Sequence, residues 1–261
     1  MKEYAKRRVP TDAEDFAYRQ DERGRLTRKI YQYLPSRERR VLSETYKSVI
    51  HFDREIDNQR LPDETYSLIC QHLAGSEQQF EGRERIDSLL EAINNLGRER
   101  ILELVREQFC NSAENVKRRY KVLEESRVRD LQEGEYPIGC IELELMFPEI
   151  SSILLEKISR KYILAAKVAD DVMDFQEDVK RGFLYVPRER LDQAQGIEES
   201  DNHYKIISEP YLNIDYVKEE LAFSQRLFHK GKKLATPIAG AEFEIYNQTW
   251  HSFLDEARED L

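Results

Sequence analysis

From Tyr162 to Val179 the chain is apolar in almost every direction around a helix, yet one stripe of that helix is acidic. The stretch "DDVMDFQEDVKRG", Asp170 to Gly182, places Asp170, Asp171, Asp174, Glu177 and Asp178 within nine residues. At about 100° per residue, Asp170 and Asp178 fall one turn either side of Asp174, with Asp171 and Glu177 flanking them. Ile163, Leu164, Ala165, Ala166, Val168, Ala169, Val172, Met173 and Phe175 fill the other directions. A helix that is apolar nearly all round is buried. Its acidic stripe is therefore expected to face an interior cavity, although an acidic run on a helix is ordinarily a solvated face.

A second acidic pair obeys the same logic. In "TYKSVIHFDREIDN", Asp53 and Asp57 are four residues apart and share one helix face. That face also carries Leu42, Tyr46, Val49 and Ile56, whereas Glu44, Lys47, His51 and Glu55 lie opposite. Buried carboxylates are costly unless a cation or metal accompanies them. Arg54 and Lys167 are candidate partners within the chain.

Only 10 Gly and 8 Pro punctuate 261 residues, so a helical chain is expected. The breaks suggest a helix from Arg37 to Asp57 with Ser36 as N-cap, another after Pro62, and one through "ERIDSLLEAINNLG" capped by Gly97. One long or broken helix follows up to Gly134. A helix from about 150 to 180 is capped by Gly182, and 187–215 is a long polar loop. Two last helices occupy about 216–233 and 238–257. The period-2 run "CIELELM" is the one possible strand. Residues 1–26 are a polar arm, and 27–261 form one all-α domain, a single-domain helical bundle around a central cavity.

Charge and composition exclude some functions. With 41 Lys+Arg against 51 Asp+Glu the net charge is −10, against a general nucleic-acid binder. "KRRYKVLEESRVR" is basic only locally and is expected to be a solvated face. No apolar run of about 18 residues predicts a membrane span, and "MKEYAKRRVPTDAED" has no apolar signal core. Cys70, Cys110 and Cys140 read as isolated reduced thiols, so cytoplasm is the expected location. "FHKGKK", Phe228 to Lys233, is a candidate peripheral membrane contact. The five histidines have no paired metal spacing.

Two acidic helices facing one cavity suit hard divalent ions. Mg²⁺ takes carboxylate and water oxygens and often brings a phosphate with it. About three Mg²⁺ would need anionic ligands from both protein and substrate. A phosphorylated, largely apolar substrate fits such a cavity, its head on the metals and its tail on aliphatic walls.

At this point a family resemblance becomes visible. "YLPSRERRVLSETYKSVIHFDREID" and "KVADDVMDFQEDVKRGFLYVP" resemble the squalene/phytoene synthase family of class I isoprenoid synthases. The matching positions are Leu34-Pro35, Arg39 and Arg40, Tyr46 seven residues before Asp53, and Asp53 with Asp57. Asp174, Glu177 and Asp178 match the second motif, followed by Arg181-Gly182-Phe183-Leu184-Tyr185-Val186-Pro187. "FEIYNQTWHSFLDEA" looks like the family's closing helix. The resemblance spans 27–257, but only the two motifs are specific. It implies a class I terpenoid synthase bundle in which Asp53, Asp57, Asp170, Asp174 and Asp178 bind Mg²⁺. Asp53, Asp57, Asp174 and Asp178 would be catalytic, and Tyr46, Arg54, Asp171, Glu177, Arg181 and Tyr185 would contact substrate.

The implied activity is ionisation of an allylic prenyl diphosphate, farnesyl or geranylgeranyl, followed by head-to-head joining of two prenyl chains. Departures are specific. Arg54 stands where the family has a second Asp, Ile50 where it has Arg, Phe183 where it has the second Arg, and Asp170 where it has Asn. They weaken diphosphate-binding charge and leave the metal ligands intact. A terpene cyclase using one substrate is the nearest alternative, and a catalytically silent scaffold or assembly factor is a third. Arg181 and Tyr185 are placed to close on pyrophosphate. Arg28 and Arg40 are further candidates for the diphosphate, and Tyr46, Tyr162 and Phe175 for the hydrocarbon pocket.

Overall fold

Pro35, fixed at φ −57°, ψ 161°, brings the chain in extended and opens the first long helix. The computed structural model describes residues 30–238 and 240–259, with side chains up to His251 apart from Thr249. The 1–26 arm and Arg28 lie outside the described residues. Helix α1 is Ser36–Asp57, so Pro35 rather than Ser36 is its N-cap. It is followed by α2 (Thr65–Leu73), α3 (Arg83–Leu96), α4 (Glu99–Val116), α5 (Glu125–Glu133) and α6 (Tyr136–Met146). Then come α7 (Ser152–Met173), α8 (Phe175–Arg181), strands β1 (Ala194–Ser200) and β2 (His203–Leu212), α9 (Ile214–Leu234) and α10 (Ala241–Glu259). Gly97 and Gly182 terminate α3 and α8 at φ +73° and +98°, as their sequence positions predict.

Helix α7 is the centre of the fold, with α5, α6, α9 and α10 packed around it. Ile158, Tyr162, Ala165 and Ala169 are buried along it. Small residues let α9 approach closely: a Cβ on Gly231 would lie 2.7 Å from the Tyr162 ring. Ser224 of α9 donates to the Ala165 carbonyl at 2.5 Å. "CIELELM" is helical, not a strand, with Pro137 in the first turn of α6. Helix α6 lies against both α4 and α7, which makes its alternating residues uniformly buried, Glu142 and Glu144 included.

Three further expectations change. The segment after Gly97 is two helices, α4 and α5, parted by a turn. The 150–180 helix is interrupted at Asp174, whose φ −92°, ψ 10° ends α7 and starts α8. The long loop contains an antiparallel hairpin, a small two-stranded sheet in a chain whose described residues are otherwise mostly α-helical, as expected of an all-α fold. Asp201 and Asn202, at φ +52° and +64°, form its turn between Ser200 and His203. Gly196, at φ +81°, sits at the irregularity in its register.

The hairpin has a packing role. Tyr204 joins Phe175, Val179, Leu184, Val186 and Tyr216 in a small second core, and its hydroxyl donates to the Val179 carbonyl at 3.1 Å. The hairpin thereby braces α8, which carries Asp178. Among the described residues no helix is long and apolar enough to cross a membrane. Phe228 of the "FHKGKK" segment is buried, its ring 4.8 Å from that of Tyr162, so it is unavailable to a membrane surface.

Candidate active site

Both acidic motifs line one cavity of about 350 Å³. Asp53 and Asp57 come from the C-terminal half of α1. Asp170, Asp174 and Asp178 come from the end of α7, the break and α8. The break does not scatter them, because the Asp174 N–H still donates to the Asp170 carbonyl (2.8 Å) and the Asp178 N–H to that of Asp174 (2.9 Å). Tyr66, Ser112, Asn115, Glu135, Lys167, Arg181 and Tyr185 complete the polar lining. Val116, Ile138, Ile163, Ala166, Phe183 and Trp250 supply the apolar part.

The electrostatics are those of crowded, poorly neutralised carboxylates. Six line the cavity (Asp53, Asp57, Glu135, Asp170, Asp174, Asp178) against two cations, Lys167 and Arg181. Burial lifts Asp53 to about 7 although the Tyr66 hydroxyl donates to it, and neighbouring Glu135 and Asp57 push the same way. Burial also lifts Asp178 to about 7, against the pull of Lys167. Asp57 and Asp174 are raised by burial too. Arg119 opposes that rise at Asp57, which it meets at 3.3 Å.

Lys167 is the hub. Its Nζ lies 3.1 Å from Asp170, 2.6 Å from Asp171 and 4.6 Å from the centre of the Tyr185 ring. Burial favours its neutral form, but Asp171, Tyr185, Asp170 and Asp178 overcome this and hold the ammonium protonated. The cation partner anticipated at Lys167 is therefore present. Arg54 is not one: its Nε turns to Glu55 at 3.1 Å, away from the cavity.

Of the anticipated site residues, Asp53, Asp57, Asp170, Asp174, Asp178, Arg181 and Tyr185 share the cavity, and four do not. Arg54 is the first of these. Asp171 points to α5, accepting from Gln132 at 2.7 Å, because the stripe is too wide for all its members to face one way. Glu177 lies on the solvent side and accepts from Arg181 at 3.2 Å. The Tyr46 hydroxyl donates to buried Glu142 at 2.6 Å instead of lining the pocket. Tyr162 belongs to the main core, its hydroxyl donating to Asn247 at 2.7 Å, and Phe175 belongs to the second core. Arg40 pairs with Glu91 at 3.2 Å on the surface.

Other residues enter unannounced. "KRRYKVL" is not a solvated face throughout: Arg118 is buried, and its guanidinium lies 4.0 Å from the Tyr185 ring centre. Arg118 and Arg119 both stack on Phe183, at 5.2 and 5.0 Å. Two cations from the turn after α4 thus occupy the neighbourhood of Phe183. The stripe Val105, Phe109, Ser112, Val116, carried three residues further, reaches Arg119 and was the available signal. Tyr66 and Glu135 had none, because they come from α2 and from the turn before α6. The thiols of Cys70 and Cys110 are not isolated but in contact.

The donor set suits a hard cation. Every acidic lining group is an oxygen donor, and because burial disfavours the charged form of Asp53 and Asp178, a cation beside them would stabilise their ionised state. Among the described residues no single point is enclosed by three or more His, Cys, Asp or Glu side chains. Ions there would complete their shells with water and ligand oxygens. Compared with models of known protein families and with curated proteins, the sequence matches none.

Proposed function

We propose that this protein is a Mg²⁺-dependent isoprenoid synthase of the squalene/phytoene synthase type, with the class I terpenoid synthase bundle. In this reading it ionises an allylic prenyl diphosphate and joins two prenyl chains head to head. The observation that carries the reading is the meeting of Asp53 and Asp57 with Asp170, Asp174 and Asp178 on the walls of one cavity with an apolar lining. The Asp53, Asp57, Asp170, Asp174 and Asp178 carboxylates would hold Mg²⁺. Bound Mg²⁺ supplies Lewis-acid neutralisation of the departing diphosphate.

The chain's own groups divide the remaining work. Lys167 and Arg181 present positive charge to the diphosphate, with Arg119 behind Asp57. Tyr66 orients the Asp53 carboxylate. Ile138, Ile163, Phe183 and Trp250 keep water from the hydrocarbon and from an allylic cation. The Tyr185 ring, already facing Lys167 and Arg118, offers its π-face to positive charge. No protein nucleophile is required.

One observation favours a second reading, cyclisation of a single prenyl diphosphate. The cavity volume of about 350 Å³ is near the lower end for small-molecule sites, roughly 300–1,000 Å³. The test is pyrophosphate release from farnesyl and geranylgeranyl diphosphate with and without Mg²⁺, with mass analysis of extracted products. Release that needs Mg²⁺ and disappears in Asp53→Ala and Asp174→Ala is the expected result. Products of doubled carbon count select joining, and those of unchanged count select cyclisation. No release from folded wild-type protein on either substrate would overturn the reading in favour of another substrate or a silent scaffold.

A further inference from the structure

Cys70 lies on α2 one turn beyond Tyr66, and Cys110 lies on α4 beside Phe109. Their sulfurs are 2.7 Å apart, the Cys110 thiol donating toward Cys70. Both are free and half-buried, within reach of a small oxidant. Cys140, by contrast, is fully buried. The Tyr66 and Phe109 rings pack beside the pair with centroids 6.4 Å apart. A disulfide is about 2.05 Å long, so bond formation asks for a sulfur displacement of less than about 1 Å. The two helices already pack along one another.

We propose that Cys70 and Cys110 are a reversible redox modification site, an intramolecular disulfide that clamps α2 to α4 behind the acidic cavity. The oxidant is a peroxide. The Cys110 thiol, on deprotonation, attacks one peroxide oxygen. The O–O bond breaks, Cys110 becomes a sulfenic acid, and the other oxygen leaves as water with that proton. The Cys70 sulfur then attacks the Cys110 sulfur. The S–O bond breaks, and the hydroxyl leaves as a second water with the Cys70 proton. Two thiols lose two electrons, and the peroxide gains them. Burial pushes the Cys70 thiol above its ordinary range, so the attack by Cys70, which goes through the thiolate, is the slower of the two steps and quickens as pH rises. The reverse step is thiol–disulfide exchange with a dithiol.

The clamp bears on the site through Tyr66. That residue shares the Cys70 face of α2 and holds Asp53, while Ser112, Asn115 and Val116 of α4 line the cavity. The inference stands on the thiol geometry and is independent of what the cavity binds.

The test uses the full chain treated with hydrogen peroxide, followed by intact-mass and free-thiol measurement. The expected result is a loss of about 2 Da and a fall from three free thiols to one, reversed by dithiothreitol. A Cys70–Cys110 peptide should appear on digestion. Tm should rise by about 4–10 °C, and amide exchange across α2 should slow. Cys140→Ser should behave as wild type, whereas Cys70→Ser and Cys110→Ser should each abolish the mass loss. Gain of oxygen without a cross-link, a bond through Cys140, or only intermolecular dimers would overturn the proposal.

Discussion

The Tyr66 hydroxyl donates a hydrogen bond to the Asp53 carboxylate, joining α2 to α1 at the wall of the acidic cavity. Burial raises Asp53 to about 7, and this hydrogen bond is the first influence that draws it down. Tyr66→Phe removes the donor and leaves the carboxylate in place. Asp53 then moves further up, so less of it is ionised at neutral pH. In the proposed enzyme the acid limb of the pH–rate profile shifts to higher pH, and the Mg²⁺ requirement rises roughly 10-fold. Loss of a hydrogen bond to a charged group also costs about 1.5–3 kcal/mol of stability. Pyrophosphate release measured against Mg²⁺ at several pH values checks this. An unmoved acid limb would show that Tyr66 does not tune Asp53.

A stability prediction follows from the burial of carboxylates and needs no substrate. Asp53, Asp178 and Glu142 are each raised to about 7 by burial, whereas carboxylates in the unfolded chain titrate near 4. Between about pH 4 and pH 7 the folded state therefore binds more protons than the unfolded state. Stability falls as pH rises through that window, because ∂ΔG/∂pH takes the sign of unfolded minus folded protons. Tm should be higher at about pH 5.5 than at about pH 8. In the proposed enzyme Mg²⁺ takes the ionised carboxylates, so its stabilising effect should be larger at pH 8 than at pH 6. Thermal scans with MgCl₂ or EDTA measure both slopes, and a Mg²⁺ effect independent of pH would exclude the cavity carboxylates as its origin.

Why the two acidic motifs were readable while the hairpin and the Tyr66 and Glu135 contributions were not is a matter of range. Asp53 and Asp57 lie one turn apart on one helix, Asp170, Asp174 and Asp178 follow one another at four-residue steps across the α7–α8 break, and helical periodicity acts over that distance. Asp171 and Glu177 show its limit: a wheel sums directions but does not say where the neighbouring helices leave space. Asp171 is claimed by Gln132 of α5, and Glu177 meets solvent. Strand alternation was invisible in 194–212 because only Ala194, Tyr204 and Pro210 are buried there; the Asp201–Asn202 turn was the local sign. "CIELELM" misled in the opposite direction, since burial on all sides erases the helical period. Tyr66 on α2 and Glu135 in the turn before α6 reach the site from elsewhere in the chain, so only tertiary packing reveals them.

Lys167 holds Asp171 at 2.6 Å, and Asp171 is 4% exposed. Lys167→Met keeps the bulk of the side chain and removes the charge, stranding Asp171 with Gln132 as its remaining donor. Breaking a buried pair in this way costs about 3–5 kcal/mol. Burial already raises Asp171 to about 6 even with Lys167 opposing it. Without the ammonium it rises further, so the penalty should shrink at about pH 5, where the carboxyl protonates. Adding Asp171→Asn should recover much of the loss at pH 7. Urea unfolding of the two variants at both pH values measures the effect, and equal penalties at the two pH values would contradict this account.

Trp250 is the single tryptophan of the chain, and it joins the cavity to buried Glu142. Its indole N–H donates to one Glu142 oxygen at 3.3 Å, and the Tyr46 hydroxyl donates to the other at 2.6 Å. Burial raises Glu142 to about 7 despite both donors. Below that pH the indole faces a neutral carboxyl, and above it an anion. Trp250 emission should therefore titrate with a midpoint near pH 7. Glu142→Gln carries no charge and keeps one acceptor oxygen, which can serve the indole N–H while its amide NH₂ donates to the Tyr46 oxygen, so the titration should vanish. The same variant should lose its share of the stability decline between about pH 4 and pH 7, since its side chain no longer binds a proton. Asp53→Asn serves as the control, because it alters the cavity without touching the indole's acceptor. A midpoint that persists in Glu142→Gln and disappears in Asp53→Asn would assign the signal to the acidic wall and leave Glu142 without a detectable titration.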